Sequence, residues 1–164
     1  MSDRGVHGVV AEQAAFLEGG VAILVGSADA VNVPHAARAW GATVLDGGSS
    51  VRLLLPSDAS VLWANLRATG ELAVCFTDVA TYRSIQVKGR VRALAEAATP
   101  DDMATWERYR ERFFSAVEVG SGVPRSMVSR LAPAAVQPAV LEVSEAYEQT
   151  PGPVAGRSLG GEPS

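Results

Sequence analysis

Few side chains in this sequence are of the types that perform acid, base or nucleophilic chemistry. The chain has one cysteine, Cys75, and two histidines, His7 and His35. Cys75 alternates within an apolar stretch, a pattern that favours a small buried side chain over a nucleophile. His35 follows Pro34 near a predicted strand end, where a surface position is more common than a general base. The sequence therefore does not identify catalytic residues.

Several catalytic and nucleotide-binding motifs are also absent, and each absence removes a class of reaction. The sequence contains no GxxxxGK[ST] loop, no GxGxxG turn, no HExxH and no CxxC. A single cysteine forms neither an intramolecular disulfide nor a thiolate cluster, and two histidines are too few for a histidine-rich metal site. No metal site is predicted. If the protein is an enzyme, we expect a bound cofactor to carry the reaction while the chain orients it.

Residues 82–92 carry the most chemical information, because their side chains alternate between polar and apolar. The odd positions from Ile85 onward would form a core face, and the even positions would form a polar, cationic face. The even positions are Tyr82, Ser84, Gln86, Lys88, Arg90 and Arg92. Antiparallel sheets commonly expose one face to water, so a solvated face and a ligand-binding face both explain this alternation.

The elements that must position these side chains are mostly short strands joined by tight connections. Apolar periodicity and turn residues predict their order and bounds. They are a helix at 9–17, strands at 21–28, 33–45 and 51–55, a helix at 57–70 with Ser57 as its N-cap, strands at 71–77 and 82–92, a long helix beginning at Thr99, and a strand at 139–147. Hairpin connections favour a mainly β, antiparallel barrel with flanking helices over a doubly wound parallel sheet.

Length and composition indicate one domain of ordinary size. The 164 residues are 48% hydrophobic and carry a net charge of −4. We expect a single domain over residues 1–148 and a Gly- and Pro-rich tail at 149–164. Nucleic-acid binding is not expected, because the chain has no basic run to neutralise phosphates. A membrane span of ~20 apolar residues and a signal-peptide pattern are both missing, so we expect a cytoplasmic protein.

Five segments are informative in combination. They are PHAARAWGATVL, SDASVLWANLRATG, ELAVCFTD, TYRSIQVKGRVRAL and the C-terminal YEQTPGPVAG. In this order and spacing they resemble the pyridoxamine 5′-phosphate oxidase-like family of FMN-binding split β-barrels. The resemblance spans roughly residues 9–156, and no single motif is diagnostic.

The resemblance implies a six-stranded antiparallel split barrel that forms a homodimer, with two FMN sites at the subunit interface. In the family the second strand contributes a cationic side chain to the flavin, and the helix after the third strand approaches the phosphate with its first residues. Helix N-termini suit phosphate through their free N–H groups. The fifth strand contributes polar contacts. The cofactor-binding residues implied here are Arg38, Trp40, Ser57, Ser60, Arg83, Ser84, Gln86 and Lys88.

One departure from the family pattern concerns the flavin phosphate. Many members place Arg and Lys five and three residues before an Asn-Leu pair, but before Asn65-Leu66 those positions hold Ser60 and Leu62. Asp58 adds a negative charge nearby. Each lost charge-assisted hydrogen bond costs about 1.5–3 kcal/mol, so losing two weakens FMN binding about a hundredfold or more unless another cation compensates.

Two hypotheses for the function follow, beside a third possibility that the scaffold has lost its ligand and acts only as a structural dimer. The first is an FMN-dependent oxidoreductase that acts on a small molecule, and it rests on the family resemblance. The second is a non-catalytic protein that binds haem, a deazaflavin or another small aromatic ligand on the same scaffold, and it is motivated by the missing phosphate-binding cations. For haem, His35 is the first candidate for the axial ligand. The sequence names neither the substrate nor the electron donor.

Overall fold

A computed structural model describes residues 5–160, and within them seven strands and five α-helices form. The strands are β1 (Ala22–Ala28), β2 (Pro34–Arg38), β3 (Ala42–Leu45), β4 (Ser50–Pro56), β5 (Glu71–Thr77), β6 (Ser84–Leu94) and β7 (Val136–Glu148). The helices are α1 (Val6–Glu12), α2 (Ala14–Leu17), α3 (Ser60–Ala68), α4 (Pro100–Ser121) and α5 (Arg125–Val128), with 3₁₀ turns at Asp46–Gly48 and Ser129–Leu131. No helix in this range is long and apolar enough to cross a membrane.

The strands form one antiparallel sheet that closes on itself. Their order is β2-β1-β5-β6-β7-β4-β3, so β2 and β3 lie at opposite ends of the sheet. Residues 39–41 nevertheless join these two strands directly. The Ala39 N–H donates to the Ile23 carbonyl (3.0 Å) on one side, and the Trp40 N–H donates to the Leu54 carbonyl (2.7 Å) on the other. The crossing segment therefore closes the sheet into a barrel.

The mainly β, antiparallel barrel with flanking helices is confirmed, but the strand count differs from the expected six. Residues 33–45 were expected to form one strand, and the structure divides them into β2, which pairs with β1, and β3, which pairs with β4. The chain changes partners at Gly41, whose φ of 153° is rare for other residues. A Cβ atom at Gly41 would lie 2.9 Å from the Leu54 side chain.

The barrel interior is filled by the apolar faces of the alternating strands. Ile23 and Val25 of β1, Val74 and Phe76 of β5 and Val87 of β6 are all buried. Because side chains alternate along a strand, the residues next to these in each strand point outward and form a second face. The apolar face predicted for residues 82–92 is part of this core.

The connection into α3 differs from expectation. Ser57 was expected to cap this helix, but α3 begins at Ser60, with Ala59 at the N-cap position and no capping side chain. β4 continues to Pro56, and the Ser57 N–H donates to the Ala135 carbonyl (3.0 Å) just before β7. Ser57 therefore extends the strand pairing instead of starting the helix.

The chain after Gln149 folds back along β6 and β7. The Ser84 N–H donates to the Thr150 hydroxyl (2.9 Å), and the Leu159 N–H donates to the Ala146 carbonyl (2.8 Å). Residues 149–160 are thus held against the sheet at both ends. The last four residues of the expected tail, 161–164, lie outside the described residues.

Helix α4 begins at a partly buried ion pair. Thr99 and Asp102 form a capping box, in which the Thr99 hydroxyl accepts from the Asp102 N–H (3.2 Å) and the Asp102 carboxylate accepts from the Thr99 N–H (2.8 Å). Arg52 of β4 donates two hydrogen bonds of 2.7 Å to the same carboxylate, which is in a residue only 5% exposed. These bonds, led by those from Arg52, lower the pKa of Asp102 to about 2.

We expect Asp102→Asn to destabilise the protein by about 2 kcal/mol at pH 7, because the amide cannot form the ion pair with Arg52. The folded pKa lies below the ordinary value of 3.8, so this contribution is complete above that value and is lost as the pH falls toward about 2. Urea unfolding at pH 7 and at low pH measures both effects. Asp101→Asn, in the same helical turn but exposed, is the control. An equal loss of stability at pH 7 and pH 2 would contradict this account.

Candidate functional site

One row of side chains crosses the outer face of five strands. Direct cross-strand partners present their side chains on the same face of a sheet. The pairing connects Arg38 to Leu24, Leu24 to Cys75, Cys75 to Gln86 and Gln86 to Tyr147. Cys75 was expected to be a buried side chain, but this register places it on the outer face, where it is half-buried. The row thus brings Arg38 and Gln86, two of the implied cofactor residues, onto one surface.

A second row runs parallel to the first and forms a depression. It consists of Ala36, Gly26, Ala73, Lys88 and Glu145. The first three side chains are small, so the sheet is left open above them. The result is a groove of about 1150 Å³, which we call the outer groove. Its lining comes from residues 26–28, 34–36, 71–73, 88–90 and 142–145.

Three polar side chains interact at one side of the outer groove. The Tyr147 hydroxyl donates a hydrogen bond to the Glu145 carboxylate, which raises the pKa of the Tyr147 phenol. The Lys88 ammonium lies 4.7 Å from the centre of the Tyr147 ring. Lys88 forms no ion pair with any carboxylate in residues 5–160, whereas Arg90 pairs with Glu71 (3.3 Å). The Lys88 ammonium is therefore available to pair with an anionic group of a ligand in the outer groove.

A β-bulge sets this arrangement. The pairing of β6 with β7 shifts between Lys88 and Gly89, so that Glu145 faces Lys88 while Gly89 faces Val143. A Cβ atom at Gly89 would lie 1.8 Å from the Glu142 carbonyl oxygen, so this close approach requires glycine. Sequence reasoning missed Glu145 and Tyr147. The glycine inside an otherwise regular strand was the signal that could have indicated the bulge.

Arg38 and Trp40 lie where β2 meets α4. Trp40 is 1% exposed, and its ring packs edge-on against Tyr109 and Phe113. The Arg38 guanidinium carbon lies 4.7 Å from the Phe113 ring and 5.4 Å from the Trp40 ring. Its Nε and Nη2 atoms are buried and have no hydrogen-bond partner among the described residues. The rings thus hold the Arg38 charge at the margin of the outer face, and Trp40 belongs to the core.

The remaining implied residues lie in two other places. Ser84 is buried at the start of β6, where its hydroxyl contacts the Thr77 hydroxyl (2.9 Å). Ser57 and Ser60 flank the turn before α3. Arg83 lies before β6, where its guanidinium carbon is 4.3 Å from the Phe16 ring. One chain therefore brings Lys88 to the outer groove and Gln86 to the neighbouring row of the same face, and it places the other residues around the margins or elsewhere.

Neither a serine nucleophile at a strand-to-helix turn nor a metal centre is arranged within residues 5–160. Residues 156–160, GRSLG, match the GxSxG pattern of hydrolase nucleophiles, but Ser158 forms a β-bridge with Tyr147 and is not at a strand-to-helix turn. No group of three or more His, Cys, Asp or Glu side chains in residues 5–160 is arranged to bind a metal ion. His35 is half-buried at the margin of the outer groove, where it pairs with the buried Ser27, so its side chain is on the opposite face of β2 from Ala36.

Comparison with known proteins identifies the family. The family model for pyridoxamine 5′-phosphate oxidase matches residues 9–139. The chain belongs to the pyridoxamine 5′-phosphate oxidase family. No curated protein matches its sequence. The expectation drawn from the five sequence segments is therefore confirmed.

Solved structures share the fold of this family member at low sequence identity. HupZ of group A Streptococcus is 14% identical, with 88% of this chain and 97% of that chain covered and a TM-score of 0.54. An F420 reductase is 16% identical, with 80% and 93% covered and a TM-score of 0.51. A candidate pyridoxamine 5′-phosphate oxidase from Lactobacillus delbrueckii is 15% identical, with 89% and 95% covered and a TM-score of 0.51. At these identities the similarity establishes the fold alone.

We expect Glu145→Gln to lower the pKa of Tyr147 toward the ordinary value for a phenol, because the hydrogen bond to the carboxylate is the main cause of its elevation. Tyrosine ring NMR signals, followed against pH and assigned with Tyr147→Phe, measure this shift. Glu142→Gln is the matched control, since Glu142 lines the same groove without a hydrogen bond to Tyr147. If both variants leave the Tyr147 titration unchanged, the hydroxyl does not bond to Glu145 in solution.

Proposed function

We propose that this protein is an FMN-binding flavoprotein, and that it acts as a flavin-dependent oxidoreductase on a small molecule. Family membership supports a flavin as the ligand class. The observation that carries the proposal is the outer groove, which at about 1150 Å³ has room for a ligand of this size. The groove crosses five strands, so its floor is broad.

The residues of the outer groove fit the ring of a flavin. Gly26, Ala36 and Ala73 form a floor without large side chains, so a planar ring can approach the sheet closely. The Gln86 side chain stands beside this floor and offers both a donor and an acceptor to the polar edge of the ring. Its amide oxygen accepts only a long bond, of 3.4 Å, from Gln149.

The flavin phosphate has fewer partners in this chain than in many relatives. Leu62, at one position that is often cationic in the family, is 0% exposed and belongs to the core. The first turn of α3 has no acidic residue. The only basic residue of this helix, Arg67, lies in its last turn. We propose that Lys88 holds the phosphate, because its ammonium has no carboxylate partner in the described chain.

A bound flavin would supply hydride and electron transfer, and the chain would bind it, orient it and exclude water. We also propose a homodimer with the flavin sites at the subunit interface. In its support, Leu24 is 51% exposed in the middle of the outer face, which a second copy would cover.

A cytoplasmic setting would keep the free thiol of Cys75 reduced. The substrate is expected to be a small molecule and not a nucleic acid.

We expect the purified protein to bind FMN, with a change in the visible flavin spectrum, and Gly26→Leu to abolish binding by filling the floor of the groove. A Cβ atom at Gly26 has no neighbour within 4 Å, so the substitution is compatible with the fold.

Lys88→Gln should weaken FMN binding about tenfold or more and leave riboflavin binding unchanged, because it removes one charge-assisted bond to phosphate.

Ala93→Leu is the matched control for the groove variant, since Ala93 is an exposed residue of β6 outside the lining. Circular dichroism of all variants checks that the fold is kept. A protein that shows no spectral change with FMN, riboflavin or a deazaflavin at high micromolar concentration would refute the flavin proposal. FMN binding that is equal in Gly26→Leu and the wild type would place the site elsewhere.

A second candidate ligand is haem, and one observation favours it. His35 lies in β2 beside the outer groove, on the opposite face of the strand from Ala36, and its imidazole has no hydrogen-bond partner between Gly5 and Gly160. A neutral imidazole is a common axial ligand of haem iron. In this case the protein would bind the ligand without flavin chemistry.

If haem is the ligand, titration of the purified protein with hemin should produce a Soret band that His35→Ala removes. His7→Ala is the control, because the His7 ring contacts the Val143 carbonyl (3.0 Å) and does not line the groove. A Soret band that persists in His35→Ala would reject His35 as the axial ligand. No spectral change with hemin would remove this candidate.

A further inference from the structure

A small polar pocket lies between the end of α2, β3 and α4. We call it the α4 pocket, and its volume is about 140 Å³. It shares no residue with the outer groove. Its lining residues are Glu18, Ala42, Thr43, Thr105, Arg108, Tyr109 and Arg112.

Two arginines dominate the charge of the α4 pocket. Arg108 and Arg112 are four residues apart on α4, so their side chains lie next to each other on the helix surface. Like charges at this spacing repel each other. Neither guanidinium forms an ion pair with a carboxylate in residues 5–160. No ion pair with a described carboxylate therefore offsets these two positive charges.

The one carboxylate in the pocket is held by the backbone. Glu18 accepts a hydrogen bond of 2.7 Å from the Val44 N–H, and it makes no ion pair with Arg108 or Arg112. With two arginines and one glutamate, the lining carries a net charge of about +1 at neutral pH. This net positive charge attracts an anion that enters the pocket.

One hydrogen-bond donor of the α4 pocket, the Arg108 guanidinium, is held in place by a side chain of the same helix. Arg108 donates to the Thr105 hydroxyl (3.1 Å), which orients its guanidinium and leaves its other N–H groups available. Thr105 and Thr43 line the same space. A guanidinium presents its N–H groups in a fixed fork that matches the oxygens of phosphate. Two guanidinium groups at one small pocket are a donor set that suits a tetrahedral oxyanion.

The walls of the pocket are fixed by close packing. A Cβ atom at Gly20 would lie 2.8 Å from the Arg112 Cβ, so the chain after α2 packs directly on α4 at this point. The Tyr109 hydroxyl donates to the Val21 carbonyl (2.8 Å), and burial raises the pKa of this phenol to about 12. The phenol therefore keeps its proton, and α4 keeps its place against β1, throughout the neutral range.

We infer that the α4 pocket is a binding site for a phosphate-like oxyanion, separate from the proposed flavin site. A water molecule occupies about 30 Å³, so 140 Å³ admits one oxyanion and little else. The ligand is therefore a free ion such as phosphate or the terminal phosphate of a slender metabolite.

The test is isothermal titration and thermal unfolding with sodium phosphate, compared with sodium chloride at equal ionic strength. We expect phosphate to raise the unfolding temperature by about 3–5 °C at tenfold excess over its Kd, and chloride not to do so. Arg112→Gln and Arg108→Gln should each weaken phosphate binding about tenfold or more. Both arginines are exposed, so the variants should fold.

Two further variants make the result specific. Arg67→Gln removes an exposed arginine from α3 and should leave phosphate binding unchanged. Lys88→Gln should also leave it unchanged, because Lys88 lies in the outer groove. Glycerol phosphate that binds as well as inorganic phosphate would indicate a metabolite as the source, and weaker binding would indicate the free ion. Phosphate binding that survives both Arg108→Gln and Arg112→Gln, or that is lost in Lys88→Gln, would overturn the inference.

Discussion

The crossing of the chain at residues 39–41 is the constraint on which the rest of the structure depends. These three residues connect the two end strands of the sheet and hydrogen-bond to β1 on one side and β4 on the other. At the centre of the crossing, the Trp40 ring packs edge-on against Tyr109 and Phe113 of α4, with ring centres 6.3 and 6.2 Å apart. Aromatic pairs in this geometry stabilise beyond their buried area. The same contact that closes the barrel therefore attaches α4 to it.

Closure of the barrel determines which side chains are available for binding. Once Ile23, Val74 and Val87 are inside, the alternate residues of the same strands must face outward. Those outward residues include Gly26 and Ala73, whose small size produces the outer groove. The groove is thus a consequence of the core pattern combined with small residues at a few outward positions.

The sequence predicted the features that depend on local pattern and missed those that depend on pairing between distant segments. The alternation in residues 82–92 identified the face that carries Gln86 and Lys88, since a strand has the same periodicity whatever its neighbours. The division of residues 33–45 was missed, because it reflects the pairing of β2 and β3 with different strands. Glu145 was missed for a similar reason, since a bulge in the pairing with β6 places it opposite Lys88.

The position held by Leu62 shows how core packing constrains ligand binding in this chain. A cation at this position would have to point out of α3, but Leu62 is fully buried in the hydrophobic core. Burying a leucine side chain contributes about 1.5–3 kcal/mol to folding, whereas a buried cation without a partner is strongly destabilising. The fold therefore gains stability where many relatives gain affinity for phosphate. If a flavin binds in the outer groove, contacts with its ring must contribute a larger share of the binding free energy than contacts with its phosphate. The groove floor then contributes more to the affinity than the start of α3 does.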